Sequence, residues 1–241
     1  MSPIKANLQH IQHEIAKATN VALPTATVIS ARSVSLIAVS KTKPSAMIRE
    51  AFDAGQRLFG ENYVQEAVTK ITELSDLRAH GIEWHFIGPL QSNKAKLVAQ
   101  YFDWVHGVDR LKIAEALAKN RAELAHLAPL NVCVQVNVSG EASKGGVAPH
   151  EVVNLAVQIT ALAALKLRGL MTIIENTPDE ITQRAQFAMM RKLQQQLIGE
   201  GLALDTLSMG MSQDFRVAIE EGATMVRIGS AIFGERERIK T

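Results

Sequence analysis

A single cysteine in 241 residues rules out an internal disulfide, so nothing in the chain calls for an oxidising compartment. That residue, Cys133, stands in a β-branched run, residues 132–136, where a small buried thiol is expected rather than a nucleophile. Excess charge is absent too: 26 lysines and arginines against 24 acids leave a net charge of +2, with the two signs interspersed. Without a basic stripe, neither nucleic acid nor an anionic membrane is an expected partner. No apolar run is long enough to span a bilayer, and residues 1–20 are polar and charged, without the apolar segment of a secretory signal. The expectation is a cytoplasmic protein.

What the chain does have is periodicity. Ile4, Leu8, Ile11 and Ile15 recur at spacings of four, three and four, which predicts an amphipathic leading helix over residues 1–20. Residues 21–33, with Pro24 and several alanines, threonines and serines, keep no period and read as a linker. Over residues 34–234 short β-branched runs alternate with helical patterns. Strands are predicted at 34–40, 57–60, 83–88, 102–105, 130–138, 166–171, 206–209 and 225–228. The first is nearly continuous in hydrophobicity, as befits a strand covered on both faces by helices. Helices fall between them, such as 111–124 and 178–198. The second of these is opened by Thr177 as N-cap and Pro178 as first residue, with Phe187, Met190, Leu193 and Leu197 on one face. Eight strand–helix units fit a single-domain α/β protein, a (β/α)8 barrel of the TIM type with an extra N-terminal helix, better than an open doubly wound sheet.

Such barrels keep their active sites at the C-terminal strand ends. Lys41 closes the first strand, at the end of Leu36-Ile37-Ala38-Val39-Ser40 and ahead of Pro44, which suits a first helical turn. A lysine there either pairs with an acid in solvent or serves chemistry, and its place flush against an apolar strand favours the second. After the seventh strand comes Gly210-Met211-Ser212. The glycine lets backbone N–H groups approach an anion, and Ser212 can cap a helix running through Phe215 and Ile219. Gly229-Ser230 follows the eighth strand. Each segment alone is equally a turn or a cap, but together at these two strand ends they suggest a phosphate site. Arg227 lies within the eighth strand, where a guanidinium needs either a carboxylate partner or a polar ligand in the barrel mouth. A lysine facing phosphate donors suits a Schiff base, and pyridoxal 5′-phosphate (PLP) brings both an aldehyde and a phosphate. An aldolase that condenses its lysine directly with a sugar phosphate fits the same parts.

At this point several long motifs carry a family resemblance. They are Leu36-Ile37-Ala38-Val39-Ser40-Lys41-Thr42-Lys43-Pro44, Phe59-Gly60-Glu61-Asn62-Tyr63-Val64-Gln65-Glu66 and Trp84-His85-Phe86-Ile87-Gly88-Pro89-Leu90-Gln91-Ser92-Asn93-Lys94. Leu207-Ser208-Met209-Gly210-Met211-Ser212, Val226-Arg227-Ile228-Gly229 and Ile232-Phe233-Gly234 complete the set. Together they resemble the YggS/PROSC family of pyridoxal phosphate homeostasis proteins, over essentially everything after the linker. The resemblance implies a barrel like the N-terminal domain of alanine racemase, with Lys41 holding PLP as an internal aldimine. It further implies that Arg227 faces the pyridine nitrogen, that Asn62 lies beside the ring, and that Ser212, Gly229 and Ser230, next to Gly210, hold the phosphate. A cation at that nitrogen disfavours its protonation and makes the ring a weaker electron sink.

Two functions of different class compete. One is a carrier that stores, buffers or delivers PLP, with PLP-dependent apoenzymes as recipients and no substrate turnover. The other is an amino-acid racemase. The β-rich second domain that gives racemases a catalytic tyrosine and a dimer contact has no counterpart after residue 234, so a non-catalytic monomer is expected. Of the two tyrosines, Tyr63 falls near the mouth and Tyr101 at the opposite rim. Lys144, in a glycine-flanked loop after the fifth strand, is read as solvated, with a relay of the aldehyde from Lys41 as the alternative. His10 and His13 read as a surface pair and no metal is assigned. His85 reads as a satisfied core histidine.

Overall fold

The alternating runs resolve into a closed eight-stranded parallel barrel in the computed structural model, which describes residues 2–21, 34–141 and 144–235. Apart from Val21, the linker segment lies outside the described residues. The strands are β1 (Ser35–Val39), β2 (Leu58–Glu61), β3 (Glu83–Phe86), β4 (Trp104–Val108), β5 (Leu130–Gln135), β6 (Leu165–Met171), β7 (Thr206–Ser208) and β8 (Met225–Ile228). Each pairs with its neighbour in sequence until β8 returns to β1, where Ile37 stands level with Arg227. This closure removes every free sheet edge.

Around the barrel run α2 (Ser45–Asp53), α3 (Val64–Glu73), α4 (Ala95–Tyr101), α5 (Leu111–Ala122), α6 (Val152–Thr160), α7 (Glu180–Gly199), α8 (Phe215–Glu220) and α9 (Ser230–Phe233). The leading helix α1 (Pro3–Val21) buries Ile4, Leu8, Ile11 and Ile15 against α2, α8 and α9. Each of those side chains contributes roughly 1.5–3 kcal/mol by leaving water. Asn7 Nδ2 also donates to the Ile232 carbonyl at 3.0 Å, which fixes the helix along its length. Among the described residues no helix is long and apolar enough to cross a membrane.

Side chains alternate between two cores, as the strand period requires. The larger lies between sheet and helices and takes Leu36, Ala38, Phe59, Trp84, Phe86, Leu207, Val226 and Ile228. The smaller fills the barrel interior with Ile37, Trp104, Cys133, Met171 and Met225. Cys133 is a core thiol as expected, and burial pushes it up to about 12, so it stays protonated and unreactive.

Several expectations need correction, among them the end of β5, which stops at Gln135 rather than at residue 138. β4 runs to Val108, three residues beyond the predicted end at Val105, and so carries His106 into the barrel interior. A histidine and a glycine within Trp104-Val105-His106-Gly107-Val108 look like a loop, yet burial on all sides overrides their weak strand propensity. The N-cap of α7 is Asp179, whose carboxylate accepts from Ile181 N at 3.3 Å and Thr182 N at 3.1 Å. Thr177 serves one step earlier, its hydroxyl accepting from Asp179 N, and the charged acceptor takes the cap. Pro44 likewise is the N-cap of α2 rather than its first residue.

Candidate functional site

Lys41 sits half-buried at the C-terminal end of β1, in a loop held by charge. Lys70 on α3 donates to the Ser40 carbonyl at 2.8 Å, to Glu61 Oε1 at 2.8 Å and to Glu66 Oε1 at 2.5 Å. Ser40 Oγ donates to the same Glu61 oxygen at 2.7 Å, and Thr42 N donates to Glu66 at 2.5 Å. Burial pushes the Glu61 carboxyl above its ordinary range, while Lys70 and the Ser40 hydroxyl pull the other way. Thr42 takes φ 64, a left-handed conformation that a β-branched residue adopts only under outside constraint. The frame around Lys41 is therefore over-determined. Sequence reasoning missed it, although Glu66 and Lys70 stand one helical turn apart.

Asn62 follows β2, and its Oδ1 is buried without a hydrogen-bond partner. Gly88, after β3, lets the two loops abut: a Cβ there would come within 2.5 Å of the Asn62 carbonyl oxygen. Tyr63 is exposed beside them.

On the opposite side Gly210 takes φ 94 and its carbonyl accepts from Arg227 N at 2.9 Å, which joins the β7 loop to β8. Ser212 does not cap α8, contrary to expectation. The cap position belongs to Asp214, whose Oδ1 accepts from Met211 N at 2.5 Å, leaving half-buried Ser212 in the turn ahead. Gly229 precedes α9 and packs on β1, where an added Cβ would stand 3.0 Å from the Val39 carbonyl oxygen. Ser230 is the first residue of α9. Lys144, Ile174, Asn176, Met211 and Ser212 line a cavity of about 240 Å³ at this rim. Asn137 Nδ2 donates to the carbonyls of Glu141 and Lys144, which ties both residues to the end of β5.

Arg227 is buried in the interior, donating from Nη1 to Ser208 Oγ at 2.7 Å and from Nη2 to the Thr172 carbonyl at 2.8 Å. No carboxylate among the described residues lies within ion-pair distance of it, so the salt-bridge alternative fails. Burial lowers its pKa to about 10, and Asp214 opposes that shift from a distance. A guanidinium this deep with only two neutral acceptors fits a polar ligand atom above it. The orphaned Asn62 Oδ1 points to the same need.

His85 is a core histidine but only half satisfied: it stacks on Trp104 at 5.5 Å and its Nδ1 meets His106 Nε2 at 2.9 Å, while its buried Nε2 makes no aligned hydrogen bond. His106, absent from the sequence-based site, also meets Ser208 Oγ at 2.8 Å. His10 and His13 are exposed on α1, and no group of three metal-ligating side chains occurs among the described residues.

Residues 6–237 match the family model described as alanine racemase, N-terminal domain. The pyridoxal phosphate homeostasis protein of Vibrio cholerae is 52% identical over 238 residues, 98% of each chain. Its counterpart in Escherichia coli K12 is 47% identical over 243 residues and the whole of both chains. The chain belongs to the pyridoxal phosphate homeostasis protein family. Among solved structures, PipY of Synechococcus elongatus PCC7942 with PLP bound superposes with a TM-score of 0.78 at 40% identity, covering 90% of this chain and all of that one. In this chain a closed barrel carries Lys41 and Asn62 just after β1 and β2, Arg227 within β8, and the Gly210 and Gly229 loops just after β7 and β8.

Proposed function

We propose that this protein binds PLP at the barrel mouth through Lys41 and serves PLP homeostasis by storing, buffering or delivering the cofactor, without turning over a substrate. The observation that carries the proposal is Arg227, a buried cation held by Ser208 and Thr172 and lacking a carboxylate. When bound, PLP offers an aldehyde to an amine and a phosphate to hydrogen-bond donors. Lys41, on its fixed loop, holds the aldehyde end covalently. Arg227 meets the ring nitrogen and, as a lasting cation, keeps a proton off it. Asn62 satisfies its orphaned oxygen beside the ring. Ser212, Gly229 and Ser230, with the Gly210 turn, hold the phosphate. Support also comes from the relatives' names and from PipY with PLP bound.

An arginine at that position suits retention better than catalysis, because an unprotonated ring is the weaker electron sink for carbanion chemistry. The same proposal takes the protein as a single-domain cytoplasmic monomer whose recipients are PLP-dependent apoenzymes.

The test is the visible spectrum of PLP-loaded protein before and after borohydride reduction, followed by peptide mapping. Wild type should carry a reducible band with the label on Lys41, and Lys41→Ala should lose that label. A loaded wild type without a reducible band would sink the tether, and sustained racemisation of any amino acid abolished in Lys41→Ala would sink the carrier role.

A further inference from the structure

Below Arg227 the barrel interior holds a line of polar contacts that ligand binding alone does not require. Arg227 can only donate, and its Nη1–H goes to Ser208 Oγ at 2.7 Å. The Ser208 hydroxyl hydrogen is then available to His106 Nδ1 at 2.8 Å. With Nδ1 accepting, neutral His106 carries its hydrogen on Nε2, which faces His85 Nδ1 at 2.9 Å. His85 in turn carries its hydrogen on Nε2, 3.1 Å from Glu83 Oε1 at the N-terminal end of β3. This last contact lies at ion-pair distance but off hydrogen-bond alignment.

The opposite arrangement fails at Ser208, where it would strand the hydroxyl hydrogen in the interior, since Oγ would then accept from both Arg227 and His106. The donor-only cation at the top therefore selects the direction of the hydrogens below it, and an Nε2–H on His85 toward Glu83 agrees with it.

The charge states agree. His85 and His106 are fully buried, and burial, with His85 and Arg227 beside it, holds His106 well below its ordinary pKa, so it is neutral. Burial opposes ionisation of Glu83, but close contact with His85, with Trp104 and Arg168 nearby, prevails and holds its carboxyl below the usual range. Trp104 stacks on His85 and lies against His106 at 5.7 Å, which locks both rings.

We propose that Glu83, His85, His106 and Ser208 are positioning residues for Arg227: a one-way hydrogen-bonded chain from His85 through His106 and Ser208, with the Glu83 carboxylate in close contact at its foot, turns each acceptor toward the guanidinium and holds it facing the mouth. The inference rests on the reading that Arg227 meets the PLP ring. The carboxylate that would directly oppose the cation is displaced to the far end of the barrel and acts through two imidazoles.

The test uses unloaded and PLP-loaded protein. In the unloaded protein, ¹⁵N NMR at pH 7 should show both histidines as neutral Nε2–H tautomers and resolved, slowly exchanging Nη–H signals from Arg227. Glu83→Gln keeps the shape of a partly exposed side chain, and Ser208→Ala removes one hydroxyl. Each should broaden the Arg227 signals and speed PLP release about tenfold, the size of one lost hydrogen bond to a charged group. An Nδ1–H tautomer at His106, an imidazolium at either histidine, or Arg227 signals unchanged in both variants overturns the chain whatever PLP does. Faster release in Arg227→Gln alone overturns the chain's role and leaves PLP binding at Arg227 standing. Release unchanged in Arg227→Gln overturns that placement of the ring, and the inference falls with it.

Discussion

Lys70 Nζ, on α3, lies 2.8 Å from the carbonyl oxygen of Ser40, the residue immediately before Lys41. One ammonium thus ties the end of β1 to the carboxylate that ends β2, Glu61, and to Glu66 one turn earlier on its own helix. Its side chain is 7% exposed and that of Glu61 is fully buried, so this is an interior charge cluster rather than a solvated pair. The lysine of the proposed chemistry is placed by a second lysine that does none.

Breaking the cluster should be costly, because removing one member of a buried ion pair leaves the other charge without compensation. Lys70→Met is expected to destabilise the fold by about 3–5 kcal/mol. Urea denaturation at pH 7 checks this. A loss below about 1 kcal/mol would mean that Glu61 simply takes up a proton at little expense.

The cap of α7 sets a pH signature. Backbone N–H groups of Ile181 and Thr182 and the Thr182 hydroxyl hold the Asp179 carboxyl below its ordinary range, Thr182 contributing most. A carboxyl lowered in the folded state adds stability that is complete above the unfolded pKa of about 4 and lost as pH falls through the folded value. Asp179→Ala should therefore melt below wild type at pH 7, with the two converging below the usual carboxylate range. Asp179→Asn, which keeps an acceptor, should show a smaller gap that barely changes with pH. Parallel melting curves for Asp179→Ala across pH 2–7 would count against the cap.

At Gly210 two constraints coincide. Its φ of 94 disfavours any L side chain, and an added Cβ would stand 2.7 Å from Ala218 Cβ. Gly210→Ala should cost about 2–3 kcal/mol of stability. The strain falls on the loop that the proposal gives to the phosphate, so PLP should also leave faster. A variant as stable as wild type would show that α8 has room to retreat.

Barrel order was legible in the chain because fully buried parallel strands stay apolar along their length, as Leu36-Ile37-Ala38-Val39 and Val132-Cys133-Val134 do. The buried face of α1 was legible from four residues at helical spacing. The polar interior was not. His106 sits between valine and glycine in a strand whose tertiary burial overrides its composition, and its partners His85 and Ser208 lie 21 and 102 residues away in sequence. Ser212 resembled a cap because serine favours that place, yet α8 begins two residues later than that reading needs, with Asp214 at the cap position and its carboxylate turned back to Met211 N. Lys41 stood out by contrast with its strand, whereas the Glu61–Lys70 pair that frames it is dispersed over two elements and announces itself only once they pack.

Asn62 offers the sharpest separation of folding from binding. An acceptor buried without a partner costs the unloaded protein about 1–3 kcal/mol in desolvation, and a ligand that donates to it recovers that cost. Asn62→Ala removes the orphan along with any contact it makes to PLP. Thermal denaturation of unloaded protein should therefore place the variant level with or above wild type, while PLP titration shows affinity weaker by about tenfold. Loss of stability in the unloaded state together with unchanged affinity would reverse the assignment and make Asn62 a structural residue of the β2 loop. Loss of both would leave its oxygen bonded in solution in a way the fold does not display, and only the combination of gain in one and loss in the other identifies a side chain kept for its ligand.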